Sequence, residues 1–195
     1  PIVEVSDEVF TAISNKDGPQ GIAAIVHQNW TKLAQINPGS NEIWIALESI
    51  QNPGNLGTIM RTGEAIGAKG IFLLDQSTDP YDPTAVKASM GALFSLKLVK
   101  TEFKNFSAWV QEKKVPLIGS SDKVEQDYMT YQYPNPCILI MGSERQGLSV
   151  GYLKLCEQIV RIPMLGRSDS LNLAVATGII LYQIFNQRRG IDFPA

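Results

Sequence analysis

Three glycine- and asparagine-rich segments hold the residues of this chain that could do chemistry. Residues 52–61 (NPGNLGTIMR) form a turn that leads into a helix, and residues 140–147 (IMGSERQG) form a strand that ends in a glycine loop. In residues 168–178 (SDSLNLAVATG), a polar run breaks directly into a helix of small residues. Serine and asparagine cap helix starts, and small residues let a backbone or a ligand come close. Each segment alone is typical of a tightly packed turn.

Together and in this order, the three segments resemble the motifs of the SpoU/TrmH family of RNA ribose 2′-O-methyltransferases, a branch of the SPOUT superfamily. The resemblance covers about residues 41 to 188. It implies an enzyme that transfers a methyl group from S-adenosylmethionine to a ribose 2′-hydroxyl, with ribosomal RNA favoured as the substrate. A tRNA ribose 2′-O-methyltransferase and a catalytically inactive RNA-binding relative are the alternatives.

The resemblance also assigns the catalytic residues. Arg61 matches an arginine that lies at the substrate hydroxyl and phosphate, and Asn55 matches an asparagine that orients that arginine and the substrate. A guanidinium with a pKa above ~12 resists deprotonation, so we expect Arg61 to stabilise the forming alkoxide and hold phosphate rather than act as a base. Glu144 is expected near Arg61, where it would fix the arginine rotamer. Ser170 and Asn172 match the third motif and are expected to cap its helix.

The glycine loop after the 137–141 strand is the expected cofactor site, because open α/β sheets bind ligands at the carboxyl ends of their strands. The resemblance implies that the backbone around Gly142, Ile162 and Leu171 forms the S-adenosylmethionine pocket, with Met164 as an apolar wall. A dehydrogenase is the rival among nucleotide-binding enzymes, but no Gly-x-Gly-x-x-Gly follows the first strand. The chemistry requires no metal, and one histidine and two cysteines offer little for a metal site.

Composition limits the possible partners. No apolar run approaches the ~20 residues that span a bilayer, and no signal peptide opens the chain, so we expect a cytoplasmic protein without a membrane partner. The net charge is −2 and the pI is about 5.5, which is not the strongly basic balance of proteins that bind nucleic acid by charge alone. RNA affinity must therefore be local, as at Lys97, Lys100 and Lys104, or supplied elsewhere.

Apolar segments of strand length alternate with helical ones, which predicts an α/β domain with a mostly parallel sheet. Strands are predicted at 22–26, 42–47, 71–74, 96–99, 115–119, 137–141 and 159–162. Helices are predicted at 30–36, 56–66, 83–93, 107–113, 148–156 and 172–187. Sequence pattern alone favours an ordinary doubly wound fold, whereas the resemblance implies a SPOUT-type fold with a deep C-terminal trefoil knot, threaded by the helix that begins near Asn172.

The resemblance also bears on domain organisation and assembly. Residues 1–20 resemble the linker or tail of a preceding RNA-binding domain, with a short helix capped at Ser6 and ended by residues 15–19, and residues 21–195 form the methyltransferase domain. Family members place the substrate across a subunit interface, so we expect a homodimer. The first and last helices are expected to expose more apolar surface than one small domain can cover. The residues of the last helix that suggest this are Ile179, Tyr182, Ile184 and Phe185.

The segment 82–91 is a further candidate site. It predicts a helix whose N-terminus could accept a phosphate, with Lys87 close by. A surface helix is the alternative interpretation.

Overall fold

A six-stranded sheet and six α-helices make up the part of the chain that the computed structural model describes, residues 2–14, 21–167 and 169–190. The strands are β1 (Ile43–Glu48), β2 (Gly70–Leu74), β3 (Lys97–Thr101), β4 (Leu117–Ser120), β5 (Cys137–Met141) and β6 (Gln158–Val160). The helices are α1 (Asp7–Ser14), α2 (Pro53–Ala65), α3 (Pro83–Ser89), α4 (Phe103–Lys113), α5 (Val150–Leu155) and α6 (Leu173–Arg188). Short 3-10 turns lie at Leu33–Gln35 and Ala92–Phe94.

All strand pairs of the sheet are parallel, in the order β3-β2-β1-β5-β4-β6. Every residue of β1 and β5 is buried, as expected for strands that helices cover on both faces. The chain builds β1, β2 and β3 outward in one direction and then crosses to β4 on the far side of β5. The carboxyl ends of β1 and β5 therefore meet at the point where open sheets form a ligand crevice.

Two apolar clusters cover the two faces of the sheet. Alternate residues of β1 divide between them, with Ile45 and Leu47 on one face and Trp44 and Ala46 on the other. The first cluster packs against α2, α3 and α6, and the second packs against α4 and α5. At Gly57, α2 lies so close to α3 that an added methyl group would collide with the backbone of Ala85. The face with α2 and α6 carries the first and third motifs.

The predicted α/β class and largely parallel sheet are confirmed, and the elements from β1 to α6 lie where the sequence predicts them, with shifts at their ends. The helix predicted over 83–93 stops at Ser89, because Met90 and Gly91 take left-handed backbone conformations, with φ of 51° and 92°. A 3-10 turn follows instead of a further helical turn.

Two predictions ahead of β1 are wrong. Residues 22–26 form no strand, and the side chains of Ile22 and Ile25 are fully or almost fully exposed, at 86% and 104%. Among the described contacts, β3 bonds to the segment ahead of β1 through one backbone hydrogen bond, in which the Thr31 N–H donates to the Leu98 carbonyl at 2.8 Å. The helix predicted over 30–36 is reduced to a single 3-10 turn. An apolar run without a neighbouring strand to pair with does not make a strand.

Helix α1 begins as the sequence predicts, since the Ser6 hydroxyl accepts from the Val9 N–H at 3.4 Å, while the predicted stop at 15–19 lies outside the described residues. In α6, Tyr182 is 46% exposed and Phe185 is half-buried. The expectation of an exposed Ile184 is wrong, because α6 packs against the sheet and buries that side chain completely. None of the helices in the described ranges is both long and apolar enough to cross a bilayer.

Candidate functional site

The first motif is a capped helix start. Strand β1 ends at the crevice, and the Asn52 side chain accepts from the N–H groups of Gly54 and Asn55, at 2.8 and 3.1 Å. Pro53 occupies the first helical position, where its missing N–H costs nothing. This cap fixes the direction of the first turn of α2 and leaves the half-buried Asn55 side chain at the crevice.

The third motif is also a helix start that an asparagine caps. The Asn172 side chain accepts from the N–H groups of Ala174 and Val175, at 2.9 and 3.3 Å, and so caps α6. The prediction of capping is confirmed for Asn172 and wrong for Ser170, which lies two residues before the cap and is exposed. One asparagine oxygen thus satisfies two N–H groups of the first turn.

The second motif is a tight loop at the end of β5. Ser143 and Gly147 form an antiparallel bridge, in which the Gly147 N–H donates to the Ser143 carbonyl at 3.0 Å. Gly142 is buried against this bridge, and a methyl group there would overlap the Gly147 backbone. Gly147 has a φ of 67°, the left-handed region that favours glycine. The two glycines let the chain reverse within six residues and direct Glu144 toward the first motif.

Glu144 binds the turn before α2. Its carboxylate accepts from the backbone N–H groups of Gln51 and Asn52, each at 3.2 Å, and from Nδ2 of Asn55 at 3.1 Å. This contact joins the second motif to the first across 89 residues of sequence. A carboxylate is well suited to three converging donors, because hydrogen bonds to an ionised acceptor are the stronger kind.

Asn55 joins the first motif to the third. Its Oδ1 accepts from Nδ2 of Asn172 at 3.1 Å, while its own Nδ2 donates to Glu144. In both side-chain amides the oxygen accepts a hydrogen bond and the nitrogen donates one, so a single orientation of each amide satisfies its partners. The result is a directional chain of hydrogen bonds, Asn172 to Asn55 to Glu144, which we call the amide relay. Three of the five predicted catalytic residues, Asn55, Glu144 and Asn172, are thus brought together, whereas Arg61 and Ser170 make no described contact with them.

The relay sets the ionisation of Glu144. Partial burial raises the pKa of this carboxyl, but hydrogen bonds from its own backbone, Asn55, Gln51 and Asn52 lower the pKa by more, so the net pKa is below its ordinary value. Glu144 is therefore an anion at neutral pH, and it acts as an acceptor rather than as a proton donor.

Replacing Glu144 with alanine should destabilise the fold by about 1 kcal/mol at pH 7, because three donors lose their acceptor. A lowered folded-state pKa stabilises the fold above the ordinary value of 4.5, and this stabilisation is lost as the pH falls through the folded pKa. The stability gap between the wild type and the variant should therefore close on acidification. Urea unfolding at pH 7 and pH 3.5 measures this gap, and the control is Glu125→Ala, because Glu125 is exposed. An equal gap at both pH values would contradict the assignment.

Arg61 lies two turns into α2 from the cap, and its side chain is exposed. The expected contact with Glu144 is not formed, because the carboxylate is already occupied by the turn before α2. The only ion pair within the described ranges is the surface pair Lys113–Glu112. Arg61 is thus a cation whose charge no carboxylate of the described residues neutralises.

Apolar side chains line the path from β6 to α6. Ile162 is half-buried against the core, whereas Met164 and Leu171 remain 36% and 38% exposed. Ile162 and Met164 follow the carboxyl end of β6, and Leu171 precedes α6 on the same connecting segment. The carboxyl ends of parallel strands share one edge of the sheet, so this segment begins at the same edge as Gly142. The described residues contain no cluster of three histidine, cysteine, aspartate or glutamate side chains that could hold a metal ion.

Sequence reasoning missed Gln51. Its backbone N–H donates to Glu144, and its side-chain Nε2 donates to the carbonyls of Ser49 and Gln76, at 3.0 and 2.8 Å. It ties the first motif to the loop after β2. The only available signal was its position next to Asn52, because its main contact with the site is made by the backbone.

The candidate phosphate site at the start of α3 is wrong. The Asp82 carboxylate already accepts from the Thr84 N–H at 2.7 Å, and its charge would repel a phosphate. The α3 segment has only seven residues, so its dipole is small.

Comparisons with known proteins agree with this geometry. The model of the SpoU rRNA Methylase family matches residues 42–182. The chain is 32% identical over 178 residues to a 23S rRNA (uridine(2479)-2′-O)-methyltransferase of Streptomyces viridochromogenes, covering 88% of this chain and 62% of that protein. It is 27% identical to a 23S rRNA (guanosine(2553)-2′-O)-methyltransferase of Bacillus subtilis, covering 92% and 71%.

Solved structures agree as well. The crystal structure of an AdoMet-bound rRNA methyltransferase from Sinorhizobium meliloti superposes with a TM-score of 0.90 at 36% identity, over 94% of this chain and 70% of that one. The chain therefore spans between about three fifths and seven tenths of the length of these three relatives.

Proposed function

The chain belongs to the SpoU rRNA Methylase family, and from this premise we propose that it transfers a methyl group from S-adenosylmethionine to a ribose 2′-hydroxyl of RNA. The observation that carries the proposal is the amide relay. Asn172, Asn55 and Glu144 lie in three motifs far apart in sequence, yet their side chains bond in one chain at the crevice between β1 and β5. The sheet does not depend on contacts among these three side chains, whereas a ligand site shared by the three motifs does.

The lining of the crevice supports S-adenosylmethionine as the methyl donor. Met164 and Leu171 offer apolar surface for the adenine, and the glycine loop at Gly142 brings backbone groups within reach of its edges. When bound, the sulfonium of this cofactor supplies an activated methyl group. The two asparagine caps fix the walls on either side, which favours a well-defined position for the reacting atoms.

Arg61 provides the positive charge that the reaction needs. As the 2′-hydroxyl gives up its proton to solvent water, negative charge grows on the ribose oxygen, and an exposed guanidinium without a carboxylate partner among the described residues is free to stabilise it. The planar fork can hold a neighbouring phosphate at the same time. Arg61 thus orients the substrate and stabilises the transition state, without acting as a base.

Ribosomal RNA is the favoured substrate because the relatives from Streptomyces, Bacillus and Sinorhizobium are named as rRNA methyltransferases. A tRNA ribose remains the alternative, since a structure that gives insights into the 2-OH methylation of C/U34 on tRNA also superposes, with a TM-score of 0.70 at 25% identity. An inactive RNA-binding relative is disfavoured by the intact relay and by the presence of Arg61.

We also propose a homodimer in which Arg61 serves the partner's crevice. Successive residues of a helix are about 100° apart, so Arg61, six positions after Asn55, points about 120° away from it. One chain therefore directs its relay and its guanidinium to different sides of α2. Exposed Val175 and Tyr182 on the neighbouring helix α6 provide apolar surface that a second copy could cover.

Three further expectations remain part of the proposal. The fold includes a C-terminal trefoil knot, in which the segment from β6 to α6 is threaded, and the protein acts in the cytoplasm. Residues 1–20 serve as a linker to an RNA-binding domain. The last point is supported by α1, which buries none of its residues against the described domain.

Calorimetry tests the proposal at its first step. S-adenosylmethionine should bind with a stoichiometry of one per chain, and NAD at the same concentration should give no heat of binding. Binding of NAD without S-adenosylmethionine would favour a dehydrogenase and contradict the proposal.

A further inference from the structure

A cavity of about 300 Å³ lies outside the relay, at the carboxyl ends of β2 and β3. Its walls include the Trp30 ring, the loop residues Ser77, Thr78 and Asp79, and Lys100 of β3. The volume is at the lower end of the range for small-molecule sites. The proposed function assigns no role to this cavity.

The loop that forms one wall of the cavity is hydrogen-bonded to the residues just before the first motif. The Thr78 N–H donates to the Ile50 carbonyl at 2.7 Å, and Gln51 Nε2 donates to the Gln76 carbonyl at 2.8 Å. Gln51 in turn donates its backbone N–H to Glu144. The loop of residues 75–80 therefore lines the cavity and is also hydrogen-bonded to Ile50 and Gln51, next to the relay.

Trp30 is held as a fixed aromatic surface. Its Nε1 donates to the Gln28 side chain at 3.1 Å, and its ring meets Tyr81 edge to face, with 5.6 Å between the centroids. The Tyr81 hydroxyl donates to the Asn29 carbonyl and accepts from the Asn29 N–H, at 3.0 and 2.7 Å. A half-buried indole with these restraints loses little conformational freedom when a ring stacks on it.

The cavity carries one charge of each sign. Lys100 and Asp79 are both exposed, and within the described part of the chain they do not form an ion pair. Asp79 uses Oδ1 to accept from the Tyr81 N–H at 2.9 Å, and the other oxygen has no protein partner among the described contacts. A fixed aromatic face, a cation and a carboxylate oxygen match the base, the phosphate and the N–H edge of a nucleotide.

We propose that this cavity binds an unpaired nucleotide of the RNA substrate, with guanine as the preferred base. The base stacks on Trp30, and Lys100 pairs with a backbone phosphate. Guanine fits because its ring N–H and amino group lie side by side, so both can donate to the Asp79 carboxylate. The inference rests on the proposed function, since it takes RNA as the substrate, and it adds recognition of a nucleotide beside the methylated one.

The test measures binding of fluorescein-labelled 12-mer RNAs by anisotropy, using oligouridine with and without one central guanosine. Trp30→Ala should weaken binding about tenfold or more, whereas Trp30→Phe, which keeps a stacking surface, should remain close to wild type. Lys100→Ala should reduce the salt dependence by about one phosphate contact. Asp79→Asn should remove the preference for the guanosine-containing RNA.

Trp30 also reports on stacking directly. The other two tryptophans, Trp44 and Trp109, are only 1% and 5% exposed, so quenching of indole fluorescence by the guanosine RNA should disappear in Trp30→Phe. Because Lys100 and Asp79 are exposed, their variants test the cavity even if Trp30→Ala fails to fold. Unchanged RNA affinity and salt dependence across the variants would overturn the proposal, as would tighter binding of free GMP than of either RNA.

A separate titration keeps the two proposals distinguishable. S-adenosylmethionine affinity should be the same in the wild type and in all four variants, because the cavity lies outside the crevice. A wild type that binds no S-adenosylmethionine contradicts the proposed function, while the RNA titrations still decide the cavity.

Discussion

Arg61→Lys should lower methyl transfer by about a hundredfold or more while leaving S-adenosylmethionine affinity within about twofold of wild type. Lysine keeps the charge but presents a point donor, so it cannot hold a phosphate and the ribose oxygen in one planar fork. The proposed cofactor wall at Met164 and Leu171 belongs to the segment before α6 and not to α2, and this is why binding should not change. The variant loses an interaction that stabilises the transition state, so the loss of activity should appear as a lower kcat/KM.

The measurement is transfer of labelled methyl groups to ribosomal RNA fragments, with cofactor titration of the same preparations. Arg145→Lys is the matched control, because Arg145 is also exposed and sits next to Glu144 without a proposed role. Near-wild-type transfer by Arg61→Lys would show that charge alone suffices and that Arg61 is not the catalytic residue.

A purified heterodimer of Arg61→Lys and Asn172→Asp chains should recover about half of the wild-type activity, although each variant alone is nearly inactive. Aspartate still caps α6, so the helix is retained. Its second oxygen, however, faces Asn55 Oδ1 where Asn172 donated a hydrogen bond, and a flip of Asn55 would withdraw the donor from Glu144. If Arg61 serves the partner's crevice, one of the two sites in the heterodimer is intact.

Two affinity tags, one on each chain, isolate the heterodimer for this assay. The reciprocal control pairs the double variant Arg61→Lys/Asn172→Asp with wild type. An arginine acting across the interface leaves both sites of that pair defective, whereas an arginine acting within its own chain leaves one intact. Recovery in the control and none in the test pair would place Arg61 in its own chain's site, and a monomer in sedimentation would remove the dimer altogether.

The core of the fold could be predicted because its signals are local. The fully buried strands β1 and β5 contain continuous apolar runs, and the cap of α6 follows from the asparagine at its turn. The apolar run at 22–26 gave the same signal without a strand to pair with, and pairing is a tertiary property that no local pattern reports.

Three of the five predicted catalytic residues meet in the structure, but their contacts could not be predicted. Asn55, Glu144 and Asn172 do meet, whereas the motif match had led us to expect Glu144 beside Arg61, where it would fix the arginine rotamer. In the structure the Glu144 carboxylate instead accepts from the backbone N–H groups of Gln51 and Asn52. These N–H groups converge because of the backbone geometry of the turn, which cannot be read from the residue types. Backbone N–H donors, and not the charge of Arg61, therefore determine the partners of Glu144.

The central claim, methyl transfer to a ribose 2′-oxygen of RNA, is tested most directly by the chemical nature of the product. Ribosomal RNA is incubated with the protein and methyl-labelled S-adenosylmethionine, hydrolysed in alkali, and analysed by mass spectrometry. Alkaline cleavage uses the free 2′-hydroxyl, so a 2′-O-methylated nucleotide survives as part of a dinucleotide. The account predicts that the label is found in alkali-resistant dinucleotides, and label in a methylated base within alkali-released mononucleotides would contradict it.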